Sequence, residues 1–258
     1  MKVILHNNIL HIHKISKEGG FDLKENAIQV LSSILNICKK KYPDCQKILI
    51  PAFDYEPFKT HCINTKSIST QFAFASILLE RKKRSQIDIF YDPVFSYISY
   101  PGTGKYIGNK NKLFKPFNNP KEFLKDNDII AFTKNAFEPS HLMEIENILF
   151  EDDHPYRYNK IFEFTNYDGK QIKFNYMVRP RDERLTEYDL ERIKNELTKI
   201  GTLFKERATG IEYIRYKDFK EYVFFTCKNN PLGLLTSESQ NLINSICKNG
   251  RLESNYFL

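Results

Sequence analysis

Lys47-Ile48-Leu49-Ile50-Pro51 is a short apolar run that follows a turn and has the length of a buried strand; its far end opens into Ala52-Phe53-Asp54-Tyr55. On its N-terminal side lies a helical pattern. Asp22 is placed to cap it, and Ala27, Val30, Leu31, Ile34 and Ile37 recur at helical spacing. Lys39-Lys40-Lys41 closes the pattern with cations where the helix dipole favours them. Further upstream, residues 9–15 alternate apolar and polar side chains and read as a half-buried strand broken by Gly19-Gly20. Downstream, residues 71–84 predict a helix and 87–91 a strand. A loop region punctuated by Pro93, Pro101, Gly102, Gly104 and Gly108 follows. Asn118-Asn119-Pro120 then introduces a helix through Phe123-Leu124, and residues 129–132 predict a further strand. Strands alternating with helices imply an α/β fold, a central mixed sheet flanked by helices, in one domain over residues 1–258.

The last third changes pattern. Residues 160–164 and 171–177 read as hairpin strands joined at Asn166-Tyr167-Asp168-Gly169. Thr186 is placed to cap a helix over 187–200 with Asp189 near its start, and Ser237 a last helix over 238–247. Strands are expected around 212–216 and 222–225.

A formal charge of +7 draws polyanions to the surface, from nucleic acid to the phosphates of a nucleotide-like cofactor. Arg81-Lys82-Lys83-Arg84 and Lys39-Lys40-Lys41 lie beside apolar-periodic segments, as solvated helix ends do, so no nucleic-acid partner is expected. The five cysteines are odd in number and never form a C-x-x-C pair, which fits free thiols in a reducing cytoplasm. The apolar run at Val3-Ile4-Leu5 is too short for a signal peptide or a membrane span. A cytoplasmic protein is expected.

Pro139-Ser140-His141-Leu142-Met143-Glu144 is the most informative cluster. A helix starting near Pro139-Ser140 puts residues three apart on one face, so the imidazole and the carboxylate converge just after the predicted strand 129–132. A neutral histidine there can take a proton from an attacking amine or thiol, and a neighbouring carboxylate can hold its tautomer. Other patterns suggest less. His11-x-His13, on a strand, shares one face but lacks a third metal ligand nearby. Gly102-Thr103-Gly104-Lys105 has Tyr106 where a phosphate-binding loop needs Ser or Thr, and reads as a flexible loop lining a cleft. Asp153, Asp168 and Lys170 imitate the D…D-x-K arrangement of a metal-dependent nuclease, but Asp168 falls in a turn rather than on a strand. That nuclease is the alternative reading.

Five segments resemble, in order, the antibiotic N-acetyltransferase family of aminoglycoside 3-N-acetyltransferase-like proteins. They are Leu10-His11-Ile12-His13-Lys14-Ile15-Ser16 with Gly19-Gly20; Ile48-Leu49-Ile50-Pro51-Ala52-Phe53-Asp54-Tyr55; Asp92-Pro93-Val94-Phe95-Ser96; the His141-x-x-Glu144 element; and His154-Pro155-Tyr156-Arg157-Tyr158-Asn159-Lys160. The third is similar to the version found in members that accompany surface-polysaccharide biosynthesis. The resemblance implies acetyl-coenzyme A as co-substrate, no metal, and transfer to the amine of an amino sugar, a polysaccharide precursor, nucleotide-activated, rather than an antibiotic. It implies His141 and Glu144 as catalytic residues, His13, Lys14, Ile15 and Phe53 on the cofactor, and Asp54, Tyr55, Asp92 and Ser96 on the substrate. Backbone N–H groups after the 9–15 strand would then hold the cofactor phosphates. The sequence departs from the family pattern at Lys14, Ala52, Ser69 and Thr133.

Overall fold

The first strand lies upstream of the expected one. In a computed structural model of the chain, which describes residues 1–20, 22–63, 68–108, 113–114, 124–134, 136–137, 140–151, 153–166, 168–247 and 252, strand β1 is Lys2–His6. Residues 9–15, expected as a strand, belong to helix α1 (Ile9–Glu18). Ile9, Ile12 and Ile15 recur every third residue, so a helix buries Ile12 and Ile15 on one side. The Asn8 side chain accepts from Leu10 N–H at 3.0 Å and caps the start. His11 and His13 therefore sit about 200° apart around a helix and share no face.

Helix α2 (Leu23–Lys41) starts where Asp22 accepts from Glu25 N–H at 3.0 Å, and ends in the three lysines. Strand β2 (Lys47–Phe53) is buried beyond its first residue. The short helix α3 (Pro57–Thr60), strand β3 (Cys62–Ile63) and helix α4 (Ala73–Leu78) follow. The helix expected over 71–84 stops early, and Arg81–Gln86 turns as a 3₁₀ helix before β4 (Asp88–Tyr91). The expected loop holds a fully formed strand, β5 (Phe95–Tyr100), and a short one, β6 (Tyr106–Gly108). Serines alternate with aromatic residues in Phe95-Ser96-Tyr97-Ile98-Ser99-Tyr100, and Ser96 and Ser99 are buried like their neighbours. Strand β7 (Leu113–Phe114) precedes β8 (Ile129–Phe132), and the helix expected at Phe123 falls outside the described residues.

Eight strands form one mixed sheet. Its centre is parallel: β1 pairs with β2 on one side and with β8 on the other. β5 runs antiparallel between β2 and β4, and β6 pairs with β4 in parallel. Alternate residues Val3, Leu5, Ile48, Ile50, Ile129 and Ala131 join the core that packs α1 and α2, while Ile4, Leu49 and Ile130 between them are equally buried. Such two-sided burial is why these strands read as continuous apolar runs.

Later elements are helix α5 (Ser140–Phe150), strands β9 (Tyr158–Asn166) and β10 (Gln171–Val178), helix α6 (Leu190–Lys199), strands β11 (Phe204–Lys205) and β12 (Glu212–Arg215), and helices α7 (Tyr216–Asn229) and α8 (Ser237–Ile246). β12 pairs antiparallel with β8, and β11 with β12. β3, β9, β10 and β7 are neighbours, in that order, in a second sheet. The strand expected at 222–225 lies inside α7, because Phe219, Val223 and Cys227 bury at spacings of four. Caps also differ. Asp189, not Thr186, accepts from the first turn of α6, and Thr236, one residue before the expected Ser237, caps α8.

The chain divides into two compact units. One comprises Met1–Phe137, Glu163–Phe174 and Phe204–Tyr216 and holds the eight-stranded sheet; the other comprises Glu138–Phe162, Asn175–Leu203 and Lys217–Leu258 and is mainly helical.

The Gly102-Thr103-Gly104-Lys105 segment proves to be anchored rather than flexible. Asp88 Oδ1 accepts from Thr103 N–H at 2.8 Å and Lys105 N–H at 3.0 Å, while the N–H groups of Gly102 and Gly104 donate to Gln86 and Ile87 carbonyls. All four N–H groups that a phosphate would need are already used. A Cβ on Gly102 would lie 2.1 Å from Asp88 N and 2.3 Å from the Ile87 carbonyl carbon. Gly102→Ala is expected to destabilise the protein by about 2–4 kcal/mol in urea unfolding, since backbone must shift to admit the methyl group.

Candidate active site

Helix α5 carries His141 in its first turn and Glu144 one turn later, and the two meet. His141 Nδ1 lies 2.9 Å from Glu144 Oε2, and neither side chain has any exposed surface. An ionised carboxylate only accepts, so the proton of this hydrogen bond sits on Nδ1 and the basic lone pair on Nε2. The pairing that the three-residue spacing predicts is thus formed, in a dry setting where the bond is strong.

Asp92 sits in a different environment. It follows β4, and Pro93 turns the chain there into β5. Its Oδ1 accepts from the N–H groups of Val94 (2.9 Å) and Phe95 (2.8 Å), while Ser96 Oγ bonds the Asp92 main chain on both its N–H and its carbonyl. The other oxygen, Oδ2, is buried without a hydrogen-bond partner among the described residues. Burial pushes the carboxyl pKa up to about 6, against the lowering effect of the Phe95 and Val94 N–H groups.

Asp92 and Ser96 line a cleft of about 280 Å³ together with Asp54, Glu56 and Ser69. Asp54 is fixed in it: one oxygen accepts from Glu56 N–H at 3.0 Å and the other from the Ser69 hydroxyl. Three carboxyl groups and no lysine, arginine or histidine form this wall among the described residues, on a chain of net charge +7. Tyr55 does not line the cleft; its ring packs edge-on against Phe95, 6.0 Å between centroids.

The residues expected on the cofactor are not brought together as a pocket. His13 and Lys14 are exposed on α1, where Lys14 Nζ lies 3.7 Å from Glu18. Ile15 and Phe53 are core residues, the latter enclosed by Phe72, Phe95 and Tyr97. The phosphate-binding loop expected after residues 9–15 does not exist at that place, because those residues continue as helix; the strand-to-helix turn is at residues 7–8.

The nuclease pattern dissolves into a turn. Asn166 Oδ1 accepts from the N–H groups of Asp168 (3.0 Å) and Lys170 (2.8 Å), Gly169 adopts φ of 74°, and Asp168 and Asp153 are exposed. No group of three or more His, Cys, Asp or Glu side chains among the described residues is placed to hold a metal ion. Sequence reasoning missed Glu146 and Tyr188, both buried and hydrogen-bonded to each other. The signal was present for Glu146, a charge set among apolar helix positions, though nothing local pointed to Tyr188.

No family model and no curated protein sequence matches the chain. Solved structures do. Aminoglycoside acetyltransferase AAC(3)-IVa in complex with a gentamicin superposes with a TM-score of 0.62 at 11% identity, covering 93% of this chain and 86% of its own. AAC(3)-Xa gives 0.61 at 9% identity, covering 91% and 87%, and the binary complex of AAC-IIIb with CoASH gives 0.55 at 8%, covering 88% and 90%. The chain has the aminoglycoside acetyltransferase fold. The expected α/β architecture is thereby shown, and the likeness in fold extends across nearly the whole length of the chain.

The acidic cleft makes a stability prediction. The folded pKa of Asp92 lies above its unfolded value, so the protonated carboxyl favours folding; this benefit is complete below pH ~4 and is lost as pH rises through about 6. Above pH 6 the buried ion costs at most about 3 kcal/mol. Asp92→Asn keeps an oxygen for the Val94 and Phe95 N–H groups and removes the charge. The variant is expected to be more stable than the parent by about 1–3 kcal/mol at pH 8 and to lose that advantage at pH 4, read from urea midpoints at both values.

Proposed function

We propose that the chain is an acyl-coenzyme A-dependent N-acyltransferase acting as a single catalytic domain on the amine of an amino sugar, in the cytoplasm. The observation that carries this reading is the buried His141–Glu144 pair on a chain with this fold. The acceptor is a polysaccharide precursor, free or nucleotide-activated, rather than an antibiotic, a choice supported by the Asp92-Pro93-Val94-Phe95-Ser96 segment. Acetyl is the acyl group proposed.

The thioester of the bound donor supplies an activated acyl group. The chain must bind and neutralise the acceptor. Asp54, Asp92 and Ser96 take the acceptor on this reading: the partnerless Oδ2 of Asp92 and the surrounding carboxylates favour an ammonium group, whose charge repays part of the burial of the Asp92 anion. Tyr55, with its ring held against Phe95, borders the same segment. His141 then accepts a proton at Nε2 as the amine becomes a nucleophile, and Glu144 stabilises the imidazolium through Nδ1. His13 and Lys14 are basic and exposed, and remain able to meet donor phosphates, whereas Ile15 and Phe53 contribute only to the core beneath.

Two measurements test the reading. Coenzyme A should raise the melting temperature without added metal, and thiol release from acetyl-coenzyme A should appear with amino sugars in a panel that also contains kanamycin- and gentamicin-like drugs. Turnover of the drugs alone would overturn the acceptor assignment; stabilisation by Mg²⁺ but not coenzyme A, with DNA cleavage, would replace the whole reading by a nuclease. His141→Ala should lower kcat by about two to four orders of magnitude while leaving coenzyme A affinity unchanged, and raised pH should partly restore its rate because free amine forms without a base. Near-normal kcat at neutral pH would remove His141 from the chemistry.

A further inference from the structure

Glu146 is a second carboxylate of α5 with no exposed surface, two residues beyond Glu144. Its Oε1 accepts from the Tyr156 hydroxyl and its Oε2 from the Tyr188 hydroxyl. Tyr188 in turn accepts from Arg157 Nη2 at 3.3 Å, so one phenol links the buried cation to the buried anion. His154 Nε2 stands 3.9 Å from Glu146 Oε2, and its ring packs edge-on against Tyr156 at 4.5 Å. The Arg157 guanidinium lies over both tyrosine rings, 5.6 and 5.7 Å from their centroids. Burial alone would raise the Glu146 pKa. The His154 contact, the charges of His154 and Arg157 and the Tyr156 hydroxyl outweigh it and hold the carboxyl below its ordinary range, so the group stays an anion.

This network differs in geometry from a generic core contact. Tyr156 and Arg157 belong to the segment after α5, and Tyr188 to the chain just before α6, where it pairs with Leu235. Two separate stretches, 154–157 and the chain before α6, therefore converge on one helical carboxylate. At about 100° per residue, Glu146 projects about 140° around α5 from His141, so the tether grips a face of the helix other than the one that bears the imidazole. Fixing a helix on that face fixes its rotation and its axial position together. Ordinary apolar packing tolerates small shifts of a helix; two phenol hydrogen bonds to one carboxylate, inside a shell of fully buried rings, do not.

We propose that Glu146 is a positioning residue: through Tyr156, Tyr188 and the Arg157 charge it locks the rotation of α5 and thereby the aim of the His141–Glu144 pair. The proposal rests on the acyltransfer reading for its activity readout, and on the geometry of His141 alone for a second readout. A displacement of about 1 Å at a reacting group lowers rate by up to about a hundredfold.

The test compares Glu146→Gln, Tyr188→Phe and Tyr156→Phe with Ile145→Val, a substitution at a buried apolar position of the same helix that leaves the tether intact. Melting temperature and near-ultraviolet circular dichroism establish that each variant folds. For thiol release, kcat should fall about tenfold to a hundredfold in the Glu146, Tyr188 and Tyr156 variants, with the KM for acetyl-coenzyme A within about twofold of the parent, while Ile145→Val keeps its kcat whatever its loss of melting temperature. Independently of activity, the exchange-protected imidazole N–H resonance of the His141–Glu144 hydrogen bond should be present in the parent and in Ile145→Val, and shifted or broadened away in Tyr188→Phe. Should the parent transfer no acyl group, the functional reading fails while the resonance still decides the tether. Should Glu146→Gln not fold, the two tyrosine variants decide. Folded variants with parental kcat and an unchanged imidazole resonance would overturn the proposal and leave the cluster as packing alone.

Discussion

Strand β1 makes parallel ladders on both sides, Val3 and Ile4 facing Ile48 and Leu49 in β2, and Ile129 and Ile130 in β8. Everything in the sheet-bearing unit takes its direction from that double pairing. Because β5 is antiparallel to both β2 and β4, those two strands run the same way, and their carboxyl ends fall on one edge of the sheet. Asp54 follows the end of β2, and Asp92 the end of β4. The two carboxylates of the cleft are far apart in sequence and close in space for a topological reason: open α/β sheets gather ligand groups at the carboxyl ends of their strands. A different position for β5 would have sent β4 the other way and taken Asp92 off that edge.

Buried carboxylates recur in this protein, and the contrast among them separates support from readiness. Asp88 is partly desolvated yet held below its ordinary range by the Thr103 and Lys105 N–H groups and by Lys47, so its charge is matched within the chain. Glu146 is more deeply enclosed and more completely matched. Asp92 is the exception, with one oxygen satisfied by two N–H groups and the other by none. An uncompensated ion in a low-dielectric site is costly, and on the proposed reading a bound ammonium group offsets part of that cost at Asp92.

Much of this was legible in residue order, and the failures share one cause. Helix α2, strand β2, strand β8 and the His141–Glu144 spacing could be read because pattern, cap and charge agreed locally. Residues 9–15 misled because Leu10-His11-Ile12-His13 alternates locally like a strand, although Ile9, Ile12 and Ile15 recur every third residue, the spacing that the helix packed against α2 uses. Strand β5 was hidden because buried serines look like loop residues when proline and glycine flank them. In α7, Tyr222-Val223-Phe224-Phe225 has strand composition, but long-range burial of every fourth residue overrides it. The local pattern marked Glu146 as a charge among apolar helix positions but not what it binds, because its tyrosine partners lie 10 and 42 residues away.

Charge distribution ties the cleft to the proposed chemistry. The chain carries +7 overall, yet a cleft in the sheet-bearing unit is walled by Asp54, Glu56 and Asp92. A uniform basic surface would attract an anionic acyl donor and repel an ammonium acceptor equally from every direction. Carboxylates gathered in one concave place favour a cation there more than the basic surface around them does, although Glu56 already pairs with Lys59 at 3.3 Å. On the proposed reading, a phosphate-bearing donor and a cationic acceptor are then drawn to different parts of one small protein, and neither competes for the other's position. Asp92 itself takes no part in an ion pair among the described residues, so its charge is left for an incoming cation, while Glu56 at the same cleft is already matched by Lys59.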